Sequence, residues 1–287
     1  LSDHNLVNVS DSSFATLAEK ELKNENPHLI LLSLYYKGRV EYNNKDFGES
    51  ITTLMKASEI AKQLQDHIYM GLIYITMSDI YYNILNTPQR LKYARLAFDE
   101  FTIANKPKLI NRASLSIANS HFEVGEYDKA IPTLKDLISR SRAMSDTALV
   151  EQASCLLGKT YLVQEKYDST IIVLSAIKRE GNRKFYRNDY YNLALSYLQQ
   201  GNIDSANYFN NKLLEIDSDE LYPSYLINRT TGNIPKALNC LELNYQKMRS
   251  NTVNMLNNGI AISIYEYHAY KEKMENDRKV KERIVYW

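Results

Sequence analysis

The sequence has few of the residues that build turn-rich or cross-linked folds. Its 287 residues include 9 Gly, 6 Pro and 2 Cys. So few turn formers disfavour a β-rich fold made of many short strands. The two cysteines, Cys155 and Cys240, have no metal or redox spacing. We interpret them as small buried apolar residues, with a disulfide as the less favoured alternative.

An excess of one charge and long apolar runs are also missing. The 35 Lys and Arg residues face 34 Asp and Glu residues, which gives a formal net charge of +1. This balance gives no electrostatic basis for binding nucleic acid or a strongly acidic partner. No apolar run reaches the roughly 18 residues that would predict a membrane span. Tyr, by contrast, is frequent, with 23 copies, and its ring can be buried while its hydroxyl stays in water.

Motifs for catalysis and metal binding are absent as well. The 5 His residues show neither H-x-x-x-H nor H-E-x-x-H spacing. The sequence has no Gly-rich phosphate loop and no G-x-S-x-G turn. His121 is interpreted as a packed core histidine rather than as a ligand. We therefore predict that the chain holds no metal and no cofactor and is not an enzyme.

What the sequence does contain is a recurring pattern of small residues. Small residues expected at helix crossings stand at positions 38, 78, 118, 158, 194 and, by extrapolation, 225. The first four share a 40-residue period, and the last two intervals shorten to 36 and 31 residues. Each unit continues with a turn, an aromatic or aliphatic residue and a second small residue. A period of this length predicts stacked helical hairpins.

Each part of the pattern has a physical reason. Gly38 and Gly158 let two helices approach to about 8–10 Å, which a bulkier residue would prevent. Gly125, Gly201 and Gly232 are predicted to end helices in the left-handed conformation, which costs glycine little. A second small residue, twelve positions after the first in most units, lets the second helix return against the first. These second small residues are Ser50, Ala94, Ala130, Thr170, Ala206 and Ala237.

Residues 125–131, GEYDKAI, and the series Leu157, Gly158, Tyr161 and Tyr167 resemble the tetratricopeptide repeat (TPR). The resemblance covers about residues 31–248. It departs from the family pattern because the period exceeds the usual 34 residues and the first helices lack Trp. The resemblance implies an all-α, right-handed α-α superhelix, a TPR-like solenoid of about six hairpins.

We predict three segments along the chain. An N-terminal segment, residues 1–27, contains a capping helix over residues 11–26, and a C-terminal helix covers residues 251–287. The solenoid, residues 28–250, consists of hairpins at 31–66, 71–106, 111–146, 151–184, 187–216 and 218–248. Near the C-terminus six basic residues precede Tyr286 and Trp287. This order is typical of the approach to a membrane segment, and a solvated helix end is the alternative.

The resemblance also implies that the first helices line a concave surface where a ligand lies. Residues about three before, and one and four after, each crossing residue are expected to point into it. The predicted binding-groove residues are Tyr35, Arg39, Tyr42, Asp79, Tyr82, Asn119, Phe122, Lys159 and Tyr191. Tyr, Arg and Asn suit an extended peptide, and the alternative is that the aromatics pack between hairpins. The carboxylate clamp of chaperone-binding relatives is not predicted, because Tyr35, Arg39, Arg112 and Ser116 occupy its positions.

The leading functional hypothesis is a non-catalytic scaffold that binds a protein or an extended peptide. The chain resembles the repeat sensor portion of bacterial membrane-tethered regulators. This resemblance implies a role in signal transduction, an extracytoplasmic location and a membrane tether beyond Trp287. The alternatives are a sensor of a small ligand or peptide fragment, and a cytosolic assembly factor.

Overall fold

The computed structural model describes residues 26–181 and 186–254, together with residues 256, 257, 259 and 262. These residues form helices and the turns between them, with no strand among them. The helices are α1 (Pro27–Asn43), α2 (Phe47–Gln63), α3 (His67–Asn83), α4 (Thr87–Ile103), α5 (Pro107–Glu123), α6 (Tyr127–Ala143), α7 (Thr147–Val163), α8 (Tyr167–Gly181), α9 (Arg187–Gln199), α10 (Ile203–Ile216), α11 (Tyr222–Thr230) and α12 (residues 234–254). The prediction of an all-α fold made of helical hairpins is confirmed.

The 40-residue period comes from helices of constant length. Helices α1 to α7 each contain 17 residues. Three-residue linkers join them, so that hairpins begin at residues 27, 67, 107 and 147. Helices α9, α10 and α11 are shorter, with 13, 14 and 9 residues. Their shortening explains why the spacing of the small residues contracts after residue 158.

Nine three-residue linkers share one backbone conformation. The middle residue of each has a positive φ, including Gly125 at 79°, Gly201 at 76° and Gly232 at 81° as predicted. In the linker after α5, the amide of Gly125 donates to Phe122 O (3.1 Å) and that of Glu126 to His121 O (2.9 Å). These two bonds form a Schellman motif, which satisfies carbonyls at the helix end.

Close helix crossings occur where the small residues predicted them. A Cβ added to Gly38 would lie 2.8 Å from Cδ2 of Leu54, and one added to Gly158 would lie 2.8 Å from Cδ2 of Leu174. Ser50 Oγ donates to Gly38 O at 2.7 Å. Thr170 Oγ1 donates to Gly158 O at 3.1 Å in the equivalent position. The second small residue therefore both admits the neighbouring helix and binds its backbone.

The chain divides into two compact units. Among the described residues, the first unit contains residues 26–113 with residues 254, 256, 257, 259 and 262, and the second contains residues 114–181 and 186–253. The division falls within α5. The core of the first unit is built from α1 to α4, the start of α5 and the buried Ile262. The second unit has three smaller apolar clusters along α5 to α11. His121 is buried in the second unit with Nδ1 2.5 Å from Glu126 Oε2.

Both predicted terminal segments fall largely beyond the described residues. The capping helix predicted over residues 11–26 lies outside them, apart from Asn26, which caps α1 by accepting from His28 N. Most of the helix predicted over residues 251–287 also lies outside. In the described part of the chain, none of the helices has the length and apolar character that a membrane crossing needs.

Candidate functional site

Charged side chains from four helices converge in the first unit. Asp79 lies on α3, and three arginines act on its carboxylate: Arg39 from α1, Arg90 from α4 and Arg112 from α5. Arg112 Nη2 lies 3.6 Å from Asp79 Oδ2. We call these four residues the arginine cluster. The charges of three guanidinium groups thus act on one carboxylate.

The cluster is a place where charge is partly withdrawn from water. Burial raises the pKa of Asp79 above its ordinary value, because a low-dielectric surrounding disfavours the charged carboxylate. The positive charges of Arg112, Arg39 and Arg90 oppose this effect. Burial is the larger effect and favours the neutral form of Asp79. The three arginines stabilise the charged form and so limit the rise of the pKa.

Two tyrosines and an asparagine surround the cluster. The guanidinium carbon of Arg90 lies 4.3 Å from the centre of the Tyr82 ring, and that of Arg39 lies 6.0 Å from the Tyr42 ring. A cation over an aromatic face within about 6 Å is attracted by the ring's negative face. The Tyr42 hydroxyl is hydrogen-bonded to Asn83. The Arg90 guanidinium group thus packs against the Tyr82 ring, and that of Arg39 lies at the outer limit of such a contact with the Tyr42 ring.

Exposure differs sharply across the cluster. Arg39 and Arg90 are each only 5% exposed. By contrast, the side chains of Arg112 and Asp79 are 42% and 28% exposed, and Tyr82 is 48% exposed. A ligand arriving from solvent would meet Arg112, Asp79 and Tyr82, while Arg39 and Arg90 would act on it from within the fold.

The structure brings together four of the five groove residues predicted in the first unit: Arg39, Tyr42, Asp79 and Tyr82. The fifth prediction, Tyr35, needs correction. Tyr35 is 2% exposed and packs edge-to-face against Tyr36 and Tyr69, with ring centres 5.3 and 5.4 Å apart. Its ring is part of the apolar core, so it offers no accessible surface to a ligand.

Sequence reasoning missed Arg90 because it considered only first helices as groove-lining. The helix-crossing pairs 38/50 and 158/170 are each twelve residues apart. The pair 78/90 has the same spacing, and Ser78 Oγ donates to Arg90 O at 3.1 Å. Arg90 therefore occupies the position of a small residue, for which the sequence had suggested Ala94. A large cationic residue at position 90, where other hairpins have a small residue, is the feature of the sequence that could have identified Arg90 as a site residue.

The four groove residues predicted in the second unit lie in two separate places. Lys159 Nζ lies 4.7 Å from the centre of the Phe122 ring, and Asn119 is half-buried on the same helix as Phe122. Tyr191 lies beside Arg187 instead, and its pKa is raised by burial and by Glu220. These residues do not form a convergent charged group like the one around Asp79.

Other features of the described chain offer less chemistry. A cavity of about 240 Å³ in the second unit is bordered by Arg142, Asp146, Glu151 and neighbouring residues, and it includes none of the predicted groove residues. Within the searched residues, no group of three or more His, Cys, Asp or Glu side chains could hold a metal ion. The arginine cluster is therefore the candidate functional site.

Comparison with known proteins gives one relative by sequence. No family model matches the chain. The chain is 24% identical over 181 residues to response regulator aspartate phosphatase E of Bacillus subtilis (strain 168). The match covers 60% of this chain and 48% of the relative, so the chain spans about half of that relative's length.

Solved structures resemble the chain along most of its length. A Rap protein complexed with competence and sporulation factor has a TM-score of 0.58 and 18% identity, over 95% of this chain and 82% of that one. A signal transduction ATPase with a tetratricopeptide repeat sensor, from Pyrococcus horikoshii, has a TM-score of 0.60 and 15% identity. That match covers 90% of this chain and 40% of the ATPase.

The relatives overturn one prediction and support another. The predicted extracytoplasmic, membrane-tethered location is wrong, because the chain resembles a response regulator phosphatase and a Rap protein rather than membrane-tethered sensors. The fold prediction agrees with both structural matches. The chain has an all-α, TPR-like helical-repeat fold.

Proposed function

We propose that the chain is a scaffold that binds a protein or an extended peptide through the arginine cluster together with Tyr42 and Tyr82. One observation carries the proposal: the helices of the first unit bring Arg39, Tyr42, Asp79 and Tyr82 to one place. They form two pairs, one on α1 and one on α3, separated by 40 residues in the sequence, and the packing of an apolar core does not require such a group.

The residue types suit a binding surface. Arg and Tyr dominate the energetics of protein interfaces, because each combines a large contact area with hydrogen-bonding groups. Tyr82 is half exposed although its ring is held by Arg90. A ring fixed before binding loses little conformational freedom when a partner covers it.

The relatives support the same function. The Rap protein among them was solved in complex with competence and sporulation factor. We infer that this chain likewise serves as the ligand-binding part of a bacterial regulator, and that it acts in the cytoplasm, the alternative that the sequence left open. The sequence relative is called a phosphatase, so the absence of catalysis in this chain stays a prediction.

The proposal is tested by selecting ligands from a random peptide library displayed on phage and measuring their dissociation constants by fluorescence polarisation. Tyr82→Ala should weaken the best peptide by about tenfold or more, as truncation of an interface hot spot does. Tyr208→Ala is the matched control, because Tyr208 is an exposed tyrosine of the second unit. Selected peptides that bind wild type and Tyr82→Ala equally would place the binding surface elsewhere.

A further inference from the structure

We propose that the arginine cluster is an oxyanion subsite, which takes a carboxylate or phosphate group of the bound peptide, and that Asp79 is its internal competitor. This inference rests on the proposed function, because it specifies the chemistry of the ligand that the scaffold binds.

The local charge of the cluster is positive. Arg112, Arg39 and Arg90 all act on Asp79, and the positive charge of each lowers its pKa. Because Arg39 and Arg90 are buried, solvent and salt screen their charges less than those of surface residues. Their attraction therefore reaches an anion placed next to Asp79, even where the anion does not touch them.

Arg112 has the geometry to contact such an anion directly. Its guanidinium group carries five N–H donors in a planar fork, which fits the two oxygens of a carboxylate or phosphate. Arg112 interacts with Asp79 at 3.6 Å, which is longer than the roughly 2.7–2.9 Å of a short charge-assisted hydrogen bond, and one carboxylate cannot engage all five donors. Since the side chain is also partly exposed, Arg112 can turn its fork towards a ligand oxyanion.

The position of Arg90 indicates that the charge has a purpose beyond packing. Hairpins elsewhere in the chain have the buried small residues Ser50, Ala130 and Thr170 at this place. Burying an Arg in a position that a small residue can fill costs free energy of desolvation. Departures from a repeating pattern that carry such a cost are concentrated at functional sites.

The oxyanion belongs to a peptide rather than to nucleic acid. The chain as a whole carries a formal net charge of only +1, whereas nucleic-acid binding needs an extended basic surface that contacts many phosphates. The cluster is a single positive point flanked by the ring of Tyr82. That arrangement fits one acidic, phosphorylated or C-terminal group within an otherwise neutral peptide.

The experiment compares peptides of one selected sequence that differ only in their anionic group. Its arms are the acidic side chain, its amide counterpart, the phosphorylated form, and the free or amidated C-terminus. We expect one anionic form to bind at least about tenfold more tightly than its neutral counterpart, since hydrogen bonds to charged groups are the strong ones. The arm that shows this difference identifies the source of the oxyanion.

Two variants test the roles of the residues. Arg112→Gln should abolish the preference for the anionic form, whereas Asp79→Asn should increase the affinity for it by removing the competing carboxylate. Arg95→Gln is the control, because Arg95 is an exposed arginine on α4 outside the cluster. Circular dichroism checks that each variant folds, and if Asp79→Asn does not fold, the result for Arg112→Gln still decides.

The outcomes separate this inference from the proposed function. Peptides that bind without any preference for an anionic group, or a preference that survives Arg112→Gln, would overturn the oxyanion subsite and leave the scaffold intact. A weaker affinity of Asp79→Asn for the anionic peptide would show that Asp79 is not a competitor and would overturn that part. If no peptide of any composition is retained, both proposals are wrong.

Discussion

One residue in the middle of each three-residue linker is held in the left-handed conformation. The left-handed conformation costs an L-residue about 1–2 kcal/mol and costs Gly little. Six of the nine three-residue linkers nevertheless place a residue other than Gly there, including Leu85 at φ 58° and Glu165 at φ 59°. The helices on either side, with their packing and Schellman hydrogen bonds, impose this conformation on whatever residue stands in the middle.

Leu85→Gly should therefore stabilise the protein, by about 0.5–1 kcal/mol after the entropy of Gly is subtracted. The Leu85 side chain is exposed, so that little packing is lost with it. The reverse change, Gly125→Ala, should destabilise by a similar amount, because the new Cβ meets no atom within 4 Å and only the backbone conformation matters. Urea unfolding followed by circular dichroism measures both. A Leu85→Gly variant less stable than wild type would show that the linker conformation carries no strain.

Only part of this residue-scale pattern could be predicted from the sequence. The positive φ of Gly125, Gly201 and Gly232 was predictable, because glycine is the residue that adopts this conformation most readily. That of Lys45 and Leu85 was not, because nothing in a Lys or Leu side chain favours a positive φ. The buried state of Tyr35 was also hidden, since a Tyr can either pack its ring in a core or present it to a ligand.

At the scale of helices, the crossings depend on the volume of a few side chains. Gly158→Ala should destabilise the fourth hairpin by about 1–3 kcal/mol through overpacking. The reason is that its Cβ would lie 2.8 Å from Cδ2 of Leu174, which is fully buried and cannot move away freely. Leu174→Ala alone should cost about 2–5 kcal/mol because it leaves a cavity.

The double variant Gly158→Ala/Leu174→Ala distinguishes this contact from a general weakening of the fold. Because the added methyl group would enter the space that Leu174 vacates, the combined loss should be smaller than the sum of the two single losses. Chemical denaturation of the four proteins gives the interaction energy. Strictly additive losses would contradict the direct contact between these two positions.

The helix scale was the most predictable, with one instructive exception. The period and the small residues located the crossings at Gly38 and Gly158, because two helices that approach closely leave room only for a small residue between them. In the second hairpin the same logic selected Ala94, since a search for small residues passes over Arg90. The twelve-residue spacing from Ser78 predicts the position correctly. It selects Arg90, a residue of the candidate site, which a criterion of residue size does not select.

For the whole molecule, the fold follows from the sequence more closely than the function does. The repeat pattern predicted a TPR-like fold, which the structural matches support. The extracytoplasmic location was inferred from general resemblance and from the basic and aromatic residues near Trp287, and it was wrong. A helical-repeat fold serves many proteins, so function has to be argued from side chains that converge on one place.

The central claim is that the chain binds its ligand at the arginine cluster of the first unit. Hydrogen-exchange mass spectrometry of the full chain, with and without a peptide selected from the random library, tests it most directly. Binding should slow exchange in the fragments of α1, α3 and α5 that carry Arg39, Tyr82 and Arg112. Unchanged exchange in those fragments, with slower exchange only around Phe122 or Tyr191, would contradict the claim.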